Sequence, residues 1–134
     1  MKNRDVYQKD PSTRKLPNDG VARVTDEKGK DEKAVLRYEI ETFVCEGQYE
    51  KGLAHILETF LSNINQALQP AVWISGFFGS GKSHFVKMLR ALWLDLEFDD
   101  GATARGIAGL PPQIRDLLKE LSTQSRRSGG LHAV

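Results

Sequence analysis

The eight residues from 76 to 83, with the sequence GFFGSGKS, match the phosphate-binding pattern G-x-x-x-x-G-K-[ST] at every fixed position. A loop of this kind wraps backbone N–H groups around a polyphosphate, and it lies between a strand and a helix. Residues 71–74 form a short apolar run suited to a buried parallel strand, and apolar residues recur with helical spacing from Phe85 to Trp93. This order predicts a nucleotide-binding protein of the α/β class.

Each part of the loop has an expected role in holding a nucleotide. Glycine allows backbone conformations and close approaches that a side chain would block, so the N–H groups from about Phe78 to Ser83 are expected to point into one concavity. Lys82 is expected to bridge the β- and γ-phosphates, and Ser83 to offer its hydroxyl to Mg²⁺. Because the loop recognises phosphates and not rings, the sequence does not predict which base the nucleotide carries. The predicted nucleotide-binding residues are Gly76, Phe77, Phe78, Gly79, Ser80, Gly81, Lys82, Ser83 and His84.

Several side chains near the loop have more than one interpretation. The rings of Phe77 and Phe78 are expected to face outward or to pack on neighbouring elements, with stacking on the base as the alternative. His84 is interpreted as a helix-surface or core histidine, although its position next to Ser83 also allows an approach to the nucleotide. Asp99 and Asp100 are interpreted as solvated carboxylates rather than a metal pair.

Composition excludes several other classes of protein. The formal net charge of +1 gives no bulk electrostatic case for binding nucleic acid or a membrane. Cys45 is the only cysteine, so an internal disulfide is excluded, and a small buried apolar residue is the expected role. His55 and His132 have no second ligand at metal spacing. No apolar run approaches about 20 residues, and no secretory signal opens the chain, so we expect a cytoplasmic protein with no membrane partner.

The chain divides into a charged arm, residues 1–33, and a nucleotide-binding part, residues 34–134. Residues 21–24 are interpreted as a brief strand within the arm. Residues 36–44 fit a helix better than a strand, because charged residues fill the gaps between apolar ones. The remaining expectations are an amphipathic helix over residues 49–68, a helix opening at Pro111 and Pro112, a turn over residues 126–130, and the start of a second strand at residues 131–134.

Hydrolysis of a nucleotide needs more than a phosphate loop. An acidic residue at the end of a neighbouring strand must complete the Mg²⁺ site. After Ser83, the run that comes nearest to an apolar strand ending in Asp or Glu is residues 92–95, but it continues the loop helix and lies too close to the phosphate loop for a returning strand. A parallel sheet also requires more than one complete strand. We therefore expect the N-terminal part of a larger protein, with an incomplete sheet and with no hydrolysis by this piece alone.

Three stretches of the sequence, residues 18–24, 36–49 and 73–85, resemble the start of the large P-loop ATPases of BREX bacteriophage-exclusion systems, the BrxC and PglY group. The similarity covers nearly the whole chain, and the forms GFFGSGKSH and FVCEGQYEKGL are its most selective parts. The resemblance implies a partial AAA+-like P-loop NTPase domain with helical N-terminal elements, in which residues 76–83 are the Walker A loop that binds ATP and Mg²⁺. It also implies that the protein functions together with a DNA methyltransferase and other phage-defence components. The resemblance leaves DNA contact and homo-oligomer formation open.

Two other functions are consistent with the sequence. In the first, the chain is a non-catalytic interaction module whose charged arm and helix 49–68 dock a partner, while the loop is vestigial. In the second, it is a small-molecule kinase, although such enzymes place the phosphate loop within the first few residues of the chain.

Overall fold

The computed structural model describes residues 30–127 and 129–132, and these residues form five helices. The helices are α1, Lys30–Thr42; α2, Gln48–Asn63; α3, Lys82–Leu94; α4, Ala104–Ile107; and α5, Pro112–Arg127. Within this part of the chain, none of the helices is long and apolar enough to cross a membrane.

The predicted α/β fold is wrong, because the described residues contain no sheet. Their only β-type pairing is an isolated antiparallel bridge between Glu97 and Thr103. Residues 71–77 have no regular secondary structure, and the Trp73 side chain within them is 91% exposed. An apolar run becomes a strand only when another strand completes its hydrogen bonds, and the described residues supply no such neighbour. The prediction of a partial AAA+-like P-loop NTPase domain fails with the sheet.

The described part of the second predicted strand also forms no strand. Leu131 and His132 have no regular secondary structure. The rest of that segment, residues 133–134, lies outside the described residues, as do the brief strand expected at residues 21–24 and the arm as far as residue 29.

The core of the molecule lies between the helices. α2 and α5 pack against each other, each through residues spaced three or four apart on one face. α3 adds a third apolar face, and α1 covers one side through Leu36 and Ile40. The most completely buried large side chains are Ile40, Leu53, Leu57, Met88, Leu92, Ile114, Leu118 and Leu121.

The helical predictions succeed in type and differ at the ends. The helix favoured over residues 36–44 is α1, which begins at Lys30, inside the predicted arm. α5 opens at Pro112, as expected from the two prolines, but runs on to Arg127 and so takes up the start of the predicted turn. α2 stops at Asn63 rather than reaching residue 68. The Asn63 side chain donates to the carbonyl oxygen of Thr59 at 2.8 Å, and such local bonds compete with continuation of a helix.

Ion pairs attach α1 to the turn that follows α3. Nη1 of Arg37 donates to both carboxylate oxygens of Asp100 at 2.7 Å, and Nζ of Lys33 lies 3.2 Å from Oδ1 of Asp99. The hydrogen bond from Arg37 lowers the pKa of Asp100, and the backbone N–H of Ala102 adds to the effect. The two carboxylates remain more than half exposed, at 69% and 56%, and each also pairs with a basic residue of α1.

A single arginine, Arg105 of α4, joins this helix to α3 and α5. The Arg105 guanidinium donates to the carbonyl oxygens of Leu92 and Trp93 at the end of α3, at 2.6 and 2.9 Å. It also donates to the carbonyl oxygen of Leu118 at 2.9 Å and to the Ser122 hydroxyl at 2.5 Å, both on α5. Because carbonyls at a helix C-terminus lack intrahelical donors, this side chain satisfies the Trp93 carbonyl oxygen. The carbonyl oxygens of Leu92 and Leu118 also accept from the Asp95 N–H and the Ser122 hydroxyl.

Candidate phosphate-binding site

Residues 76–83 form a tight turn that leads directly into α3. The backbone N–H of Ser80 donates to the carbonyl oxygen of Phe77 at 3.1 Å. Gly79 and Gly81 have φ of 79° and 83°, the left-handed region that favours glycine. A Cβ atom on Gly76 would lie 2.7 Å from the Ser80 hydroxyl oxygen, so the two ends of the turn come close together. The glycine spacing of the motif therefore produces a bent loop.

The Lys82 side chain folds back over the start of this loop. Its Nζ donates to the carbonyl oxygens of Gly76 and Phe77 at 2.9 and 2.7 Å. No Asp or Glu of the described residues lies within ion-pair distance of that ammonium group. Two of its three N–H donors are thus used by neutral acceptors, and its charge is uncompensated by the described part of the protein.

The first turn of α3 presents unpaired backbone donors beside Lys82. Gly81 is the N-cap residue and contributes no side-chain hydrogen bond. The first amide of this turn with an acceptor is that of Phe85, which donates to the carbonyl oxygen of Gly81 at 2.8 Å. The N–H groups of residues 81–84 have no acceptor among the described residues. A helix N-terminus of this kind carries a partial positive charge that favours anions.

The aromatic rings of the loop leave this concavity open. The side chain of Phe78 is 100% exposed and that of Phe77 is 91% exposed. Both rings face outward, so neither one fills the space inside the turn.

Tyr49 supports the loop from α2 and was not singled out by the motif. Its hydroxyl donates to the carbonyl oxygen of Ser80 at 3.4 Å, and its ring stacks on Phe85 with the centroids 5.7 Å apart. A Cβ atom on Gly81 would collide with the Tyr49 hydroxyl. Because Tyr49 and the loop lie about 30 residues apart in sequence, the motif carries no signal for this contact.

His84 packs toward the core rather than toward the loop. Its ring makes an edge contact with Phe43 at 6.0 Å between centroids. Burial lowers the pKa of His84, Glu39 opposes that shift and Lys87 adds to it. The nearby Lys87 ammonium is itself buried and lies 2.7 Å from Oε2 of Glu39, which has no other partner among the described residues. The backbone of His84 belongs to the site, whereas its imidazole belongs to this buried cluster.

The residues present fit one type of metal ion, Mg²⁺ held mainly by phosphate. The Ser83 hydroxyl is exposed at the first turn of α3 and makes no hydrogen bond to another described residue. In the described part of the chain, no three His, Cys, Asp or Glu residues come together as a metal site. Mg²⁺ at nucleotide sites commonly takes one or two protein ligands and completes its shell with phosphate and water. Ser83 would be that protein ligand, and the cation would offset the charge of the phosphates.

The remaining candidates lie away from the loop or at its edge. Cys45 is buried, and desolvation raises the pKa of its thiol to about 11, with the charge of Glu50 acting in the same direction. His55 is exposed on α2 and His132 is exposed near the end of the described residues.

Comparison with protein-family models and with solved structures adds no identification. No protein-family model matches the chain, and no solved structure matches it. Support for a function therefore comes from the geometry of the loop and from the sequence motif.

Proposed function

We propose that this chain binds the triphosphate of a nucleotide, ATP with Mg²⁺, through residues 76–83. The main support is the Lys82 ammonium, which lies over the loop without a neighbouring carboxylate among the described residues. The backbone N–H groups of residues 81–84 have no acceptor among the described residues. They lie at the end of the motif and add donors for phosphate oxygens. The proposal needs the loop and the start of α3, and it does not require a sheet.

The proposed binding assigns each group a separate task. The third N–H of the Lys82 ammonium is free to meet a phosphate oxygen while the other two hold the loop carbonyls. The backbone amides at the N-terminus of α3 hold further phosphate oxygens, with the helix dipole acting in the same direction. The Ser83 hydroxyl would meet Mg²⁺, which neutralises part of the phosphate charge.

The wider setting is proposed from the resemblance alone. In this proposal the chain works in the cytoplasm as part of a BREX phage-defence ATPase, beside a DNA methyltransferase and other defence components. Contact with DNA and assembly with further copies of the chain belong to the same proposal.

The experiment compares ATP–Mg²⁺ affinity in Lys82→Ala with that in the charge-matched control Lys119→Ala, measured by isothermal titration calorimetry. Lys119 lies on α5, is highly exposed and, among the described residues, pairs with Asp116 at 3.5 Å. We expect Lys82→Ala to weaken binding at least tenfold, because a charge-assisted hydrogen bond is lost, and the control to stay within about twofold. Equal, appreciable affinity in both variants would reject the role of Lys82. Circular dichroism of both variants checks that the helices are retained.

One observation favours a second function, a protein-interaction module. The sequence predicts docking through the charged arm and helix 49–68, but the apolar face of α2 is covered by the core. The exposed large apolar side chains are instead concentrated in residues 68–78, where Leu68 is 88% exposed. If this function is the correct one, ATP–Mg²⁺ leaves binding to a protein partner unchanged, which a pull-down with and without nucleotide measures.

A further inference from the structure

A cavity of about 560 Å³ lies between the N-terminal half of α2 and the segment that leads into the loop. Its volume falls within the range of small-molecule sites, about 300–1,000 Å³. Most of the surface that lines it is apolar or aromatic. The α2 side of the lining includes Gln48, Tyr49, His55 and Ile56, and the facing side includes Val72, Trp73, Ile74 and Phe77.

This cavity is continuous with the proposed phosphate site. Gly76, Ser80 and Lys82 line it together with the aromatic residues. A ligand that reaches from one end to the other would therefore meet a cation and backbone at one end and apolar rings at the other. No Asp or Glu lines the cavity, so an anionic ligand meets no repelling carboxylate there.

The aromatic walls differ in how firmly they are held. Tyr49 is fixed by its stack on Phe85 and by its hydrogen bond to Ser80. Gly52, one turn further along α2, has no side chain, so the floor of the cavity at this point is the Phe85 ring. Trp73 stands opposite with its indole exposed, and it stacks on no other aromatic ring of the described residues. One face of the site is thus fixed, and the other offers an unused ring.

We propose that this cavity holds the base and sugar of the nucleotide, with the base stacked against Trp73 and Tyr49. The inference rests on the proposed binding of phosphates at the loop and extends it to the rest of the ligand. Stacking of a base on an aromatic side chain contributes about 1–3 kcal/mol by alanine substitution, and every base has a face that can stack. Gln48 and His55 supply polar groups at the cavity wall for the edge of the base or for the sugar.

The experiment uses two probes, ATP and inorganic tripolyphosphate, each with Mg²⁺. Tripolyphosphate carries the phosphates and lacks the base and sugar. Affinities of both probes are measured by calorimetry for the unaltered chain, for Trp73→Ala, for Trp73→Phe and for Lys82→Ala. The control is Leu68→Ala, which removes an equally exposed apolar side chain that does not line the cavity.

We expect Trp73→Ala to weaken ATP about tenfold and to leave tripolyphosphate within twofold, because only ATP has a base to stack. Trp73→Phe should recover most of the loss, and Leu68→Ala should change neither probe. Lys82→Ala should weaken both probes. ATP should also quench the fluorescence of Trp73, and tripolyphosphate should not.

The outcomes separate this inference from the proposed function. If both probes bind equally and Trp73→Ala changes neither, the base does not occupy the cavity, while phosphate binding stands. If neither probe binds, phosphate binding fails, and this inference fails with it. A loss for both probes in Trp73→Ala would also overturn the inference, since Trp73 would then support the loop rather than the base.

Discussion

Gly81 combines three requirements at a single position. It has a φ of 83°, it is the N-cap residue of α3, and it leaves space for the Tyr49 hydroxyl. Gly79 shares only the first of these requirements, since a Cβ atom there would meet nothing within 4 Å. Gly79 and Gly81 therefore differ in how much a side chain would destabilise the loop.

We predict that Gly81→Ala destabilises the chain more than Gly79→Ala does. Left-handed backbone costs a non-glycine residue about 1–2 kcal/mol, and only alanine at position 81 adds a collision with Tyr49. Urea denaturation should show about 1 kcal/mol for Gly79→Ala and about 2–3 kcal/mol for Gly81→Ala. The excess should shrink when Tyr49→Phe is added, because that change removes the hydroxyl. An excess that persists in the double variant would contradict the assigned cause.

A second residue-scale prediction concerns the reactivity of Cys45. With a pKa of about 11, about one Cys45 thiol in a thousand is ionised near pH 8, and the thiolate is the reactive form. We expect slow reaction with a disulfide reagent in the native state and fast reaction in concentrated guanidinium. The protonated thiol is favoured on folding, so this contribution to stability is present below about pH 8.5 and is lost as the pH rises toward 11. Equal rates in the two states would refute the burial of Cys45.

At the scale of elements, local periodicity predicted α1, α2, α3 and α5, whereas the short helix α4 was not predicted. The apolar faces of α2 and α5 follow from spacing alone, and the break before α3 follows from the glycines. The strand expected at residues 71–74 failed because an apolar run does not reveal whether a neighbouring strand exists. The ion pair between Asp100 and Arg37 was not predicted, because the two residues lie 63 positions apart in sequence. The proposed stacking role of Trp73 and Tyr49 depends on the cavity that both residues line, which no sequence pattern predicts.

We predict that Arg105→Ala destabilises the chain by about 3 kcal/mol, measured by denaturant unfolding. The substitution removes the donors that reach α3 and α5, and it leaves the Trp93 carbonyl oxygen without a donor among the described residues. Arg115→Ala is the matched control, because Arg115 is exposed and its guanidinium has no partner among the described residues. The control should change stability by less than about 0.5 kcal/mol. Similar losses in the two variants would show that Arg105 does not join the helices.

At the scale of the whole molecule, the ion pairs of α1 make its attachment sensitive to pH. The pKa of Asp100 is lowered in the folded state, chiefly by its hydrogen bond from Arg37. Its contribution to stability is therefore present above the unfolded pKa near 3.9 and is lost as the pH falls through the lower folded value.

We predict that Asp100→Asn loses less stability than the unaltered chain when the pH falls from about 6 to about 3. The reason is that asparagine has no carboxylate to protonate. Thermal melting at the two pH values measures the difference, and Asp116→Asn, on the exposed face of α5, serves as the control. An identical acid loss in Asp100→Asn and the unaltered chain would show that the Arg37 pair does not hold α1 in place.

The irregular stretch between α2 and α3 has a consequence for digestion by a protease. Chymotrypsin cleaves after large aromatic residues, and Trp73, Phe77 and Phe78 are the exposed ones in this stretch. The cut would separate α1 and α2 from the other three helices along the backbone, yet α2 would still pack against α5. We expect the nicked chain to elute from a sizing column with the intact chain and to run as two bands on a denaturing gel.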